Sequence, residues 1–193
     1  MKQAAKILSA LLIIFLSQAC GLNDHSKHQI KTLDSLGGAV NAATQTLQKN
    51  DSTAINKLLK TYQIYAQFIN TKLIDTLSKS EAIEISGFFE SGESLLAYMS
   101  NRTKLLNRLK LINNQTQKLS KDIQNHAIDE EQAEVYFQNE INEAGQVIPS
   151  VMNEQKLYYT NVQKLTASTH LVKEIIKQHN QQQLPIIVDT QNN

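Results

Sequence analysis

The 193-residue chain reads as an all-α protein, an antiparallel up-down-up-down helical bundle whose two longest helices extend as a coiled-coil-like hairpin. Three observations predict this. Apolar residues recur three and four positions apart over long stretches, which is the period of a helix and not of a strand. Turn formers are scarce, 6 Gly and 2 Pro in the whole chain, where a sandwich or barrel needs them at every strand end. Ser and Asp residues able to cap free amide groups stand at the starts of these stretches.

The first helical stripe runs from about residue 27 to 49 through Ile30, Leu33, Gly37, Val40, Thr44 and Leu47. Gly37-Gly38 inside it costs about 0.5 to 1 kcal/mol per residue relative to alanine. Close approach of a neighbouring helix is the reason expected for the pair, with a bend as the rival. Asn50-Asp51-Ser52 then supplies a stop and a new N-cap. The second helix carries Ile55, Leu58, Tyr62, Tyr65, Ile69, Leu73 and Leu77 on one face.

Ser78-Lys79-Ser80-Glu81 has the spacing of a capping box. The third helix follows it, with Ile85, Phe88, Leu95, Met99, Leu106, Leu109, Ile112, Leu119 and Ile123. Unbroken, it is about 47 residues, or roughly 70 Å; a break near Gly87 or Gly92 would instead give a more compact bundle of shorter pieces. Asp129 followed by Gln132 marks the start of the fourth helix. Its stripe runs through Phe137, Ile141, Ala144, Ile148, Val151, Tyr158, Val162, Leu165, Thr169, Val172, Ile176 and His179. Pro149 removes a backbone donor and meets the preceding turn, so a kink is expected near Gly145 to Pro149.

Short connections make successive helices antiparallel neighbours. The first two are about half as long as the last two, so they cover half of the long pair. The expected result is a bare two-helix hairpin from Leu105 to about Gln146.

The N-terminus has a different character. Met1-Lys2-Gln3-Ala4-Ala5-Lys6 is basic, and Ile7 to Leu16 is apolar apart from Ser9. These are the n-region and h-region of a secretory signal. Ten apolar residues span about 15 Å as a helix, half of a hydrocarbon core. Ser17-Gln18-Ala19 offers small residues for cleavage, and Cys20, the one cysteine of the chain, follows at once. The segment resembles the lipobox signal of bacterial lipoproteins, in the relaxed form found in Bacteroidota, although Ser17 stands where leucine is usual. That resemblance implies removal of residues 1–19, acylation of Cys20 and a lipid-anchored protein. Acyl chains contribute about 0.8 kcal/mol per buried methylene, so two or more hold stably. Gly21 after the cysteine, in place of an aspartate, implies the outer membrane, and the lack of an acidic run after it implies the periplasmic side.

The expected organisation is therefore a signal peptide over 1–19, a lipidated tether over 20–27, a helical bundle over 28–183 and an extended tail over 184–193. Taking Lys2 and Lys6 from the 19 basic residues leaves 17 against 18 acidic ones, interspersed along the chain. No nucleic-acid stripe is formed by such a pattern, so no nucleic-acid partner is expected.

Chemistry-bearing patterns are few. A di-metal bundle site needs Glu-x-x-His pairs, which the sequence lacks. His25 and His28 lie in the tether without a third ligand, His126 stands at a helix end, and His170 and His179 are nine residues apart. No phosphate loop, haem-attachment motif or organised nucleophile occurs. No catalytic residue, metal or cofactor is expected. Asp34-Ser35-Leu36, Asp51-Ser52-Thr53 and Asp75-Thr76-Leu77 resemble the short Asp-Ser/Thr-apolar motif of Bacteroidota O-glycosylation, and Ser52, in an expected turn, is the acceptor candidate. The six tyrosines lie on or beside apolar stripes, as core-edge residues do.

Asn113-Asn114-Gln115-Thr116-Gln117 interrupts the third stripe with polar residues. Leu184-Pro185-Ile186-Ile187-Val188 is apolar again; it either folds back onto the bundle or adds as a strand to a partner's sheet edge. The functional expectation is a non-enzymatic envelope lipoprotein, held to a membrane by lipid and offering helical surfaces to another envelope protein as scaffold, accessory subunit or immunity-type inhibitor. A sensor or carrier of a small amphipathic ligand, bound between helices near Gly37-Gly38 and the tyrosines, is the rival.

Overall fold

A computed structural model describes residues 22–50, 52–73, 76–180 and 184–185. It is an all-α bundle of four helices: α1 Asp24–Gln48, α2 Ser52–Phe68 ending in a π-helical turn Ile69–Leu73, α3 Lys79–Gln124 and α4 Glu130–His179. The caps lie where the sequence puts them. Ser78 and Glu81 form the reciprocal capping box of α3, and the Asp129 side chain accepts from the Gln132 amide to start α4. Asn23 caps α1 through the Ser26 amide, so helix begins at Asp24, and residues 24–27, expected in the tether, belong to the bundle.

The long helices α3 and α4 make the expected antiparallel hairpin. Helix α3 is continuous through Gly87 and Gly92, and α4 is continuous through Pro149. Pro149 and Gly145 both face solvent, so the Gly145 carbonyl that loses its helical donor can bond water, while Val147 and Val151 beside it are fully buried. The hairpin turn closes with the Ala127 amide donating to the Asp122 carbonyl and His126 in the left-handed region at φ 52°. That is a Schellman ending with histidine in the place glycine favours.

The first two helices are disposed differently from the expected alternation. Leu33 packs with Leu119 and Ile123, Val40 and Leu47 with Leu105 and Leu109, and Tyr62 with Phe88. Rising numbers along α1 and then α2 meet falling numbers along α3, so both run antiparallel to α3 with no reversal at Asn50. Pairing with α4 keeps one register from end to end: Asn23 bonds Glu130, Gln29 bonds Glu134 and Asn50 bonds Gln155. Helices α1 and α2 thus follow one another as a third rod laid along the hairpin, and they make no side-by-side contact.

Nor does the segment from Leu105 to Gln146 project bare, because α1 covers it. A cap marks where a helix ends and carries no information about the direction taken next. Continuing onward lets α1 bury Leu109, Ile112, Ala144 and Val147, all at most 1 % exposed. Apolar area removed from water stabilises by about 25 cal/mol per Å², and folding α1 back on α2 would leave these residues wet.

The joint between the two halves of the third rod is fixed from both sides. Asn50 is buried and donates to the Tyr98 hydroxyl of α3 and, at 2.9 Å, to Gln155 Oε1 of α4; the Gln155 amide donates back to Asn50 Oδ1 at 2.9 Å. The close helix approach lies at Gly92 and not at Gly37-Gly38. A Cβ on Gly92 would fall within 3.0 Å of Cδ2, Cε2 and Cζ of Tyr62, whereas a Cβ on Gly37 or Gly38 would meet nothing within 4 Å.

Candidate interaction surfaces

Of the residues singled out in the sequence, Cys20 lies outside the described residues. Ser52 is the first residue of α2 and partly exposed, at a helix start instead of an open turn. Among the described residues no three His, Cys, Asp or Glu side chains form a metal-binding group, and no helix is long and apolar enough to cross a membrane. Tyr62, Tyr65, Tyr98 and Tyr158 are buried in the α2 half of the core, while Tyr136 and Tyr159 are exposed. Gly37-Gly38 lies in the α1 half, so the slot expected between the glycine pair and the tyrosines is not formed.

Two histidines tie helices together. His179 Nε2 lies 2.9 Å from Glu81 Oε1, joining the end of α4 to the start of α3. The Ser78 hydroxyl and amide, then His179, lower the Glu81 pKa to about 2. At the opposite end His25 lies 3.1 Å from Glu134, whose carboxyl also accepts from Gln138 and Gln29 and is held below the usual range by those bonds and by His25. Tyr62 donates to Glu93 at 2.8 Å; burial, then this carboxylate, pushes its phenol well up.

Helix α2 covers one side of the α3/α4 pair, and a groove of about 370 Å³ runs along another. Its lining includes the small residues Gly87, Ser91 and Ser94 from α3 and Ala167 and Ser168 from α4, with Glu84, Glu90, Asn161 and Lys164 beside them. At its rims stand Ile83, 64 % exposed, and Leu171, 47 % exposed. The groove is bounded by the Glu81–His179 tie at one end and by the Asn101–Glu154 hydrogen bond of 3.1 Å at the other. From Ile83 to Ser94 is about 17 Å, three helical turns. The sequence signal for it is faint: Ile83 and Leu171 fall off the apolar stripes, which reads as ordinary surface until the two helices are paired.

A second groove lies between α1 and α3, in two adjoining cavities of about 560 and 330 Å³ that share Asp34 and Gln117. Gly37-Gly38 and the polar run at Asn113 to Gln117 meet there. Thr116 is buried and bonds back to the Ile112 carbonyl at 2.9 Å, and Asn113 Oδ1 is buried without a partner. Leu184 of the tail packs against the α2-half core, as folding back expects; Ile186 to Val188 lie outside the described residues. No family model, curated protein or solved structure matches this chain.

Proposed function

We propose that the protein is a non-enzymatic, lipid-anchored envelope module that docks a helix of another envelope protein in the α3/α4 groove. The observation that carries this reading is the groove itself: exposed Ile83 and Leu171 beside Glu84, Glu90 and Lys164, small residues between the two helices, and a length of three turns. A partner helix with apolar residues at i, i+3, i+4 and i+7 fits such a trough. The lipid anchor rests on the resemblance of residues 7–20 to a lipobox. With Cys20 acylated, only Gly21 and Leu22 separate it from the Asn23 cap, so the tether reaches about 10 Å. The α3–α4 turn then faces the bilayer, and the groove stands about 40 Å or more beyond it, given 1.5 Å per residue between Lys121 and Ser94.

A photocrosslinking residue at Ile83, in protein expressed in native membranes, tests the docking. One defined partner should be crosslinked, and Leu171→Asp should abolish that adduct without lowering the melting temperature. An adduct that survives Leu171→Asp, or that forms equally from exposed Leu111, rules the groove out. Intact mass of the same material reads acylation at Cys20 and any hexose at Ser52.

A further inference from the structure

The α1/α3 groove carries a binding site of its own, and its argument rests on the lipid-anchored reading for orientation only. From the end of the bundle inwards its lining passes from a mouth of mixed apolar, cationic and polar side chains to an amide-lined interior. Leu22 and Ile30 give the mouth its apolar side chains, Leu22 two residues from Cys20 in sequence. Lys27, Lys31 and Lys121 surround it, against the single acid Asp34. The Lys27 ammonium bonds Asp24 at 3.0 Å, but Asp24 is almost fully exposed, so this pair holds it weakly. Further in, the cavity is lined by the amides of Asn41, Asn113 and Gln117. Room for it exists because Gly37 and Gly38 have no side chains, and the buried Asn113 Oδ1 has no partner. Of the acidic residues that α4 brings to this end, Glu130 and Glu134 are engaged by Asn23, Gln29 and His25.

A mouth of apolar and cationic side chains with amides behind it matches the first methylenes, the phosphate and the hydroxyl-bearing headgroup of a lipid rising from a bilayer. We propose that this groove binds the headgroup of an anionic phospholipid or glycolipid whose phosphate carries a polyhydroxyl group. The lysines take the phosphate, Asn113 and its neighbours take the hydroxyls, and Leu22 and Ile30 meet the first methylenes. This gives Gly37-Gly38 its purpose: the pair leaves space for a ligand, where an ordinary helix would fill it.

Full-length protein purified in a polyoxyethylene detergent is titrated with dihexanoylphosphatidylglycerol, dihexanoylphosphatidylcholine and inorganic phosphate, with binding read by the rise in melting temperature. The phosphatidylglycerol should bind about tenfold or more tighter than the choline lipid, with the preference shrinking at high salt. Gly37→Leu places a side chain in the cavity, its Cβ meeting nothing within 4 Å, and should keep or raise the unliganded melting temperature, yet weaken phosphatidylglycerol by about tenfold. Lys27→Gln/Lys31→Gln/Lys121→Gln should abolish the preference, and Lys57→Gln/Lys173→Gln should leave it intact. Equal binding of both lipids, or full affinity in Gly37→Leu, overturns the site. Inorganic phosphate binding as tightly as phosphatidylglycerol overturns the lipid assignment in favour of a free anion. Intact mass showing unmodified Cys20 would defeat the anchored reading alone, since the titration does not depend on the acyl group.

Discussion

Substituting Gly92 by alanine tests the close contact of α2 with α3. In a helix interior the change gains about 1 kcal/mol from propensity. Here the new methyl would lie inside the Tyr62 ring, which cannot swing aside freely. It packs on Phe88 at 5.1 Å and Phe89 at 6.4 Å between centroids, and its hydroxyl is held by Glu93. Overpacking costs about 1–3 kcal/mol, and ring atoms inside 3.0 Å put this contact in the upper part of that range, about 2–3, while expelling the ring instead would lose an aromatic side chain worth about 3–5. The expected net is a loss of about 1–2 kcal/mol, a fall of roughly 2–8 °C in melting temperature for a chain of this size. Gly87→Ala, five residues earlier in the same helix, meets nothing within 4 Å and should gain about 1 kcal/mol. In a Tyr62→Ala background Gly92→Ala should turn stabilising as well. Urea unfolding of the three single variants and the double gives the comparison. A neutral or stabilising Gly92→Ala in the otherwise native chain, or the same effect with and without Tyr62, would refute the contact.

Four further outcomes are expected. Asn50→Ala leaves the Gln155 amide and the Tyr98 hydroxyl short of partners and should cost about 2–3 kcal/mol in urea unfolding. The depressed Glu81 pKa means that its contribution is complete above about pH 4.5 and is lost as pH falls towards 2; the acid limb of a stability–pH profile should therefore flatten in Ser78→Ala, which also costs about 1 kcal/mol at neutral pH. Burial, then Glu143, raises the pKa of Glu140, whose Oε2 has no partner; its neutral form suits the fold, stability is lost as pH rises past the ordinary carboxylate range, and Glu140→Gln should raise the melting temperature at pH 7 but not at pH 4. His126→Gly relieves a left-handed residue and should stabilise by up to about 1 kcal/mol in the same unfolding assay.

Much of the candidate surface was unreadable in the chain because a groove is a property of two helices at once. Gly87, Ser91 and Ser94 are unremarkable until Ala167 and Ser168 lie opposite them. The same holds for Asn50, which reads as a stop signal and becomes a buried three-way polar joint only when Tyr98 and Gln155 arrive from residues 48 and 105 positions away.

Local energetics fixed the helices themselves. Apolar spacing, the Ser78–Glu81 box and the Asp129 cap act within a few residues, and they mark α3 and α4 and their long hairpin from the sequence alone. Where α1 goes after its cap, which glycine is crowded and which is open, and which polar residues find partners depend on surface burial summed over the whole bundle. Covering the full length of a roughly 70 Å hairpin with a two-piece rod removes more apolar area from water than doubling back over half of it, and that comparison exists only in three dimensions.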